Sequence, residues 1–139
     1  MLYTGDERRQ NPRYGAESMT VSISFQNESS GKAFVEKVQP FDFSISGVSI
    51  KTNINMEIGS KISLDISKGS YRASNIVSIV RNVMNQGDKN RYGLQFDFSA
   101  NDYMCSEELE EILSNIEYAL KKNHKYPHRN PYRRAKIID

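Results

Sequence analysis

The sequence predicts a mainly β domain, an antiparallel barrel or sandwich, closed by a C-terminal α-helix. Two patterns and a length carry this reading. Short runs of alternating apolar and polar residues recur up to Phe98, separated by Gly/Asn/Ser turns. After Ser106 the alternation gives way to apolar residues spaced three and four apart. The chain of 139 residues has the length of a single domain and can hold a core without a disulfide or a metal. Cys105 is the only cysteine, which excludes an internal disulfide framework and multi-cysteine zinc or iron–sulfur sites.

The elements follow in order. Residues 1–15 hold an Arg-rich run, Pro12 and Gly15 with no apolar period, and read as a flexible, extended arm. Val21, Ile23 and Phe25 alternate with Ser22, Ser24 and Gln26, the pattern of a half-buried strand. Asn27–Lys32 is a turn cluster, and Ala33–Val38 completes a hairpin that Pro40 is expected to end, because proline cannot donate to a ladder. Gly47–Thr52 and Lys61–Ile66 alternate again. A long β-branched strand follows over Tyr71–Met84, then a loop over Asn85–Asn90 and a last strand, Tyr92–Phe98. Six short strands at this spacing suit a barrel or a sandwich.

The helix is expected over about 106–123. Ser106 can cap it, and Glu107 and Glu108 stand where the helix dipole favours acids. Leu109, Ile112, Leu113, Ile116, Ala119 and Leu120 form one apolar stripe, which most simply packs on the barrel. Lys121 and Lys122 close the last turn and Asn123 is a stop. Residues 124–139 carry two prolines and five basic residues without apolar period, and read as a disordered basic tail after a barrel-plus-helix domain at 16–123.

The net charge is only +2, but its distribution is uneven. Between Ala16 and Asn123 there are 11 basic and 14 acidic residues, so the basic excess sits in the two ends. An acidic body with basic arms suits a small anionic partner and argues against a body-wide nucleic-acid groove; no DNA or RNA partner is expected. Met1–Gln10 lacks the apolar run of a signal peptide, and no stretch is long and apolar enough to span a bilayer, so a cytoplasmic location is expected.

No Gly-rich phosphate loop, HExxH or Gly-x-Ser-x-Gly elbow is present, and nothing in the sequence points to a catalyst or a cofactor. His124 and His128 are four apart, but Pro127 breaks the helix that would bring them to one metal. Cys105 has no histidine nearby in sequence and reads as a partly buried small apolar residue.

Two constellations stand out. In Glu7–Arg13 (ERRQNPR), Arg9 and Arg13 are four apart, on one side of an extended arm. Guanidinium groups match the O6/N7 edge of guanine, grip phosphate oxygens bidentately and stack on bases. The second, Asp42–Gly47 (DFSISG), offers a carboxylate able to accept from guanine N1–H and N2–H₂, the Ser44 hydroxyl, and at Gly47 a close backbone approach or a positive φ. Each alone has a plainer explanation, a solvated basic end and a serine turn entering a strand.

Taken together, RxxxR, a hairpin, DxSxxG, a barrel and a closing helix resemble the PilZ domain family of cyclic di-GMP receptors, from about Glu7 to Asn123. The strand Arg91–Phe96 (RYGLQF) is similar to the family's last barrel strand. The resemblance implies a six-stranded antiparallel split barrel with a C-terminal helix, a non-catalytic receptor, and one ligand site. It implies that Arg9 and Arg13 clamp the guanines and phosphates, that Asp42, Ser44 and Gly47 line the other side of a guanine, and that Arg8, directly before the motif, favours two intercalated ligand molecules. Arg81 matches a position where some members add a contact, although a plain surface arginine explains it as well. With no output domain recognised in the sequence, the signal would pass to a downstream protein through reordering of the arm. The rivals are a PilZ-like scaffold that binds no nucleotide, and a small barrel for single-stranded nucleic acid. The latter would want aromatic residues alternating with basic ones on strand faces, for which Tyr71-Arg72 and Arg91-Tyr92 are the only pairs on the expected strands.

Overall fold

Six long strands with alternating apolar side chains pair in an order that returns to its start. A computed structural model describes residues 11–26 and 33–123. Its elements are β1 (Tyr14–Gly15), β2 (Thr20–Gln26), β3 (Ala33–Ser44), β4 (Gly47–Thr52), β5 (Lys61–Lys68), β6 (Tyr71–Gln86), β7 (Lys89–Phe96) and α1 (Glu107–Asn123). The hydrogen-bonded order is β3-β2-β5-β6-β7-β4, and β4 pairs back onto β3, which closes a six-stranded antiparallel barrel. Closure removes the free edges that an open sheet of this size would leave.

Inward residues of every strand meet in one core. Val21 pairs with Val38 on one side and Ile66 on the other, and Ile23 lies opposite Leu64. Phe43, Ile50, Val80, Tyr92 and Leu94 are buried with them. The buried Tyr92 hydroxyl has its partners, donating to the Ile54 carbonyl oxygen at 2.9 Å and accepting from the Met56 amide at 2.9 Å. The helical stripe covers one end: Leu109, Leu113, Ile116 and Leu120 are buried, and α1 packs on β6, β5 and β1. Each such side chain contributes about 1.5–3 kcal/mol on burial, which is why the helix stays on the barrel. Ser106 caps it, its Oγ accepting from the Leu109 amide at 3.1 Å.

Several boundaries differ from the sequence reading, each for a physical reason. Pro40 does not end its strand, because β3 leaves β2 after Val38 and pairs with β4 from Gln39. The proline falls at this change of partner, and a register shift between Pro40 and Asp42 follows it, where the ladder's demand for an N–H is relaxed. The expected loop over Asn85–Asn90 shrinks to Gly87 and Asp88, since β6 and β7 stay paired out to Gln86 and Lys89. Gly87 takes the positive φ of 78° that so tight a turn needs. Cys105 is exposed rather than partly buried, because Met104 takes the inward place in the short 3₁₀ turn before α1.

The end of the arm is part of the fold. Tyr14 and Gly15 pair with Phe43 and Asp42, and the Ala16 amide donates to the Phe41 carbonyl oxygen at 3.0 Å. Ala16 is buried, so the described arm residues dock on β3 instead of extending away. Arg8, Arg9 and the expected tail at 124–139 lie outside the described residues. No helix among the described residues is long and apolar enough to cross a membrane.

Candidate functional site

The β3–β4 hairpin carries Asp42, Ser44 and Gly47, and β1 lays the arm alongside it. Asp42 is a strand residue, facing outward between the core residue Phe43 and the bulge. Its Oδ1 accepts from the Ser49 hydroxyl at 2.7 Å and from Arg13 at 3.0 Å. Its Oδ2 accepts from Arg91 at 3.2 Å. Arg13 and Asp42 thus form the ion pair that joins the arm motif to the hairpin motif, across 29 residues of sequence.

Ser44 is buried, and its Oγ accepts from the Ser46 amide at 3.2 Å, which is the serine turn of the plainer reading. Gly47 has no left-handed φ. It is demanded by close approach, because a Cβ there would meet the Leu94 carbonyl oxygen on β7. Gly47 lies opposite Gln95, and Ser49 opposite Gly93, so the two glycines stand on a diagonal, two residues apart in register, across β4 and β7.

Beside them is an open pocket of about 440 Å³, lined by Arg13, Ser44, Gly47, Arg81, Asn82 and Gly93 among others. A register shift lies between Val80 and Asn82, and Arg81 and Asn82 are exposed, as are Val83, Met84 and Asn85 after them. Arg81 donates through Nε to the Gln95 side chain at the pocket wall. The lining is polar and offers guanidinium, hydroxyl and carboxamide groups, a set suited to an anion bearing hydrogen-bonding bases.

The structure therefore brings Arg13, Asp42, Ser44, Gly47 and Arg81 to one side of the barrel, and the positions of Arg8 and Arg9 are not described. Sequence reasoning missed Arg91, Asn82, Gly93, Gln95 and Ser49. The available signal was β4–β7 pairing: once Gly47 faces Gln95, Ser49 faces Gly93 and Lys51 faces Arg91 by register alone.

A second pocket of about 300 Å³, more apolar, lies at the seam of α1 and the hairpin tip, against Ile45, Phe98, Met104 and Leu113. No cluster of His, Cys, Asp or Glu suited to a metal occurs among the described residues. Among the described residues, Asp97 and Tyr103 titrate clearly away from their ordinary values, and neither lines the polar pocket. Hydrogen bonds from Ser99, helped by Lys61, hold the Asp97 carboxyl below its usual range, and burial pushes the Tyr103 phenol up.

The family model of the PilZ domain matches residues 7–114. No curated protein matches the chain in sequence. Among solved structures, YcgR of Escherichia coli in complex with c-di-GMP is similar at a TM-score of 0.64 and 14% identity, over 84% of this chain and 47% of YcgR. The MrkH–c-di-GMP complex of K. pneumonia is similar at a TM-score of 0.64 and 16% identity, over 85% of this chain and 54% of MrkH. MotI/DgrA of Bacillus subtilis, an inhibitor of motility, follows at 0.60 and 14%, over 90% of this chain and 59% of MotI. The chain thus spans about half the length of YcgR and MrkH.

Proposed function

The chain belongs to the PilZ domain family, and from that premise we propose that it is a receptor for cyclic di-GMP that works as an adaptor. The observation that carries the reading is the Arg13–Asp42 ion pair at the rim of a polar pocket that Ser44, Gly47 and Arg81 also line. Two sequence motifs far apart in the chain meet at that pair. Similar folds in YcgR and MrkH are seen with c-di-GMP, which supports the ligand.

In this reading Arg8, Arg9 and Arg13 take the phosphates and stack on the guanines, as one molecule or as an intercalated pair. Asp42 and Ser44 meet a guanine edge, and Arg81 adds a contact from β6. Gly47 keeps β4 against β7 beneath them. Arg13 exchanges its carboxylate partner for the ligand, and the reordered arm offers a new surface to a downstream protein. Phosphate contacts through exposed arginines make the affinity salt-dependent.

Calorimetric titration of the full chain with cyclic di-GMP, GTP and a short single-stranded oligonucleotide tests this. Cyclic di-GMP alone is expected to bind, with at least a hundredfold loss for Arg13→Ala at unchanged far-UV circular dichroism. Arg13→Ala with wild-type affinity removes the mechanism, and preferential binding of the oligonucleotide removes the function.

A further inference from the structure

Asp42 has more partners than a ligand-reading carboxylate needs. Two arginines share it, and they are held very differently. Arg13 reaches Oδ1 from the arm just before the two-residue strand β1, with its side chain 33% exposed. Arg91 reaches Oδ2 from within β7, in register with Lys51 of β4. Its guanidinium also lies 3.7 Å from the centroid of the Phe41 ring, the residue at the β3 bulge next to Asp42. Stacking and strand pairing fix Arg91 in place, whereas Arg13 precedes a strand of only two residues.

We infer that Arg91 is a positioning residue: held on Phe41, it keeps the Asp42 carboxylate neutralised and aimed while Arg13 leaves it for the ligand. This rests on the cyclic di-GMP reading. A carboxylate with only 16% exposure that lost its sole cation as a doubly anionic ligand arrived would be both desolvated and repelled. Arg91 removes that penalty, so the arm is free to exchange partners. Ser49, bonded to Oδ1, holds the carboxylate's orientation during the exchange. Two cations on one carboxylate thus divide the work, one static and one mobile.

The test is titration of the full chain with cyclic di-GMP for wild type, Arg91→Ala, Arg91→Lys, Asp42→Asn and the Asp42→Asn/Arg91→Ala double variant. Arg91→Ala is expected to bind about tenfold more weakly, within the range for neighbours in one ion-pair network. Its thermal midpoint should move by less than about 3 °C, as for a partly exposed ion pair. Arg91→Lys returns the charge without the flat stack and should recover affinity to within about threefold of wild type. In the Asp42→Asn background, followed by NMR to millimolar ligand, removing Arg91 should cost less than about twofold, because no carboxylate remains to neutralise. Wild-type or tighter binding by Arg91→Ala overturns the inference, and so does an equal loss in the Ala and Lys variants or a full tenfold loss in the Asn background. If Asp42→Asn binds too weakly to read, the comparison of Ala with Lys decides. A wild type that binds no cyclic di-GMP brings down the receptor reading and this inference together; a silent Arg91→Ala beside a binding wild type brings down the inference alone.

Discussion

Gly47→Ala separates what the hairpin glycine does for the barrel from what it does for a ligand. Gly47 opens β4 opposite Gln95, and an added Cβ would run into the Leu94 carbonyl oxygen. The obstacle is backbone, and it is pinned: the Phe96 amide donates to the Ser46 carbonyl oxygen at 2.9 Å on the same stretch of ladder. Relief requires β4 to part from β7, whose pairing closes the barrel. The residue has no positive φ, so the whole cost is steric. Overpacking of this kind costs about 1–3 kcal/mol. For a domain of this size each kcal/mol lowers the melting midpoint by about 3–4 °C, so a fall of about 3–12 °C is expected. Differential scanning calorimetry of wild type and variant at neutral pH reads it. Titration with cyclic di-GMP, well below both midpoints, should show binding weakened along with stability, since the two strands that part also floor the pocket. A midpoint within about 1 °C of wild type would refute the close approach; lost binding at full stability would mean that the glycine serves the ligand directly.

Gly93→Ala is the counterpart, because the nearest atoms its Cβ would meet are those of the Asn82 amide, with Oδ1 at 2.5 Å, and that side chain can swing. Stability should change by less than about 0.5 kcal/mol while cyclic di-GMP binding weakens severalfold, as read by calorimetry and titration. Ser106→Ala removes the oxygen that caps the Leu109 amide and should cost about 1 kcal/mol, measured as a lower urea midpoint at unchanged m-value. Asp97 receives hydrogen bonds from the Ser99 hydroxyl at 2.8 Å and amide at 3.2 Å and pairs with Lys61, which holds its folded-state pKa below the unfolded value. Its contribution is therefore present above the ordinary carboxylate range and is lost as pH falls through the folded-state value. The melting midpoint of Asp97→Asn should lie below wild type at neutral pH, and the gap should close on acidification.

Most of the frame was legible because it depends on periodicity. Val21 and Ile23 alternate with serines, and they became the inward face of β2. Leu109, Leu113, Ile116 and Leu120 follow the helical spacing and became the buried stripe of α1. Where the period breaks, the reading broke too. Pro40 was expected to stop a strand that continues, because a change of partner is a tertiary event with no local mark. From Arg81 to Asn85 every residue of β6 is exposed, after a register shift that alternation alone does not foresee.

Alternation, turn chemistry and short motifs are local properties, so the class of fold, the family and a set of residue types suited to an anionic guanine ligand could be read from the chain alone. That Arg13 reaches Asp42, that Arg91 shares the same carboxylate from β7, and that Gly47 is held by packing emerged with the folded chain. Those facts depend on which strands lie side by side, and that pairing is set by closure of the barrel around a common core.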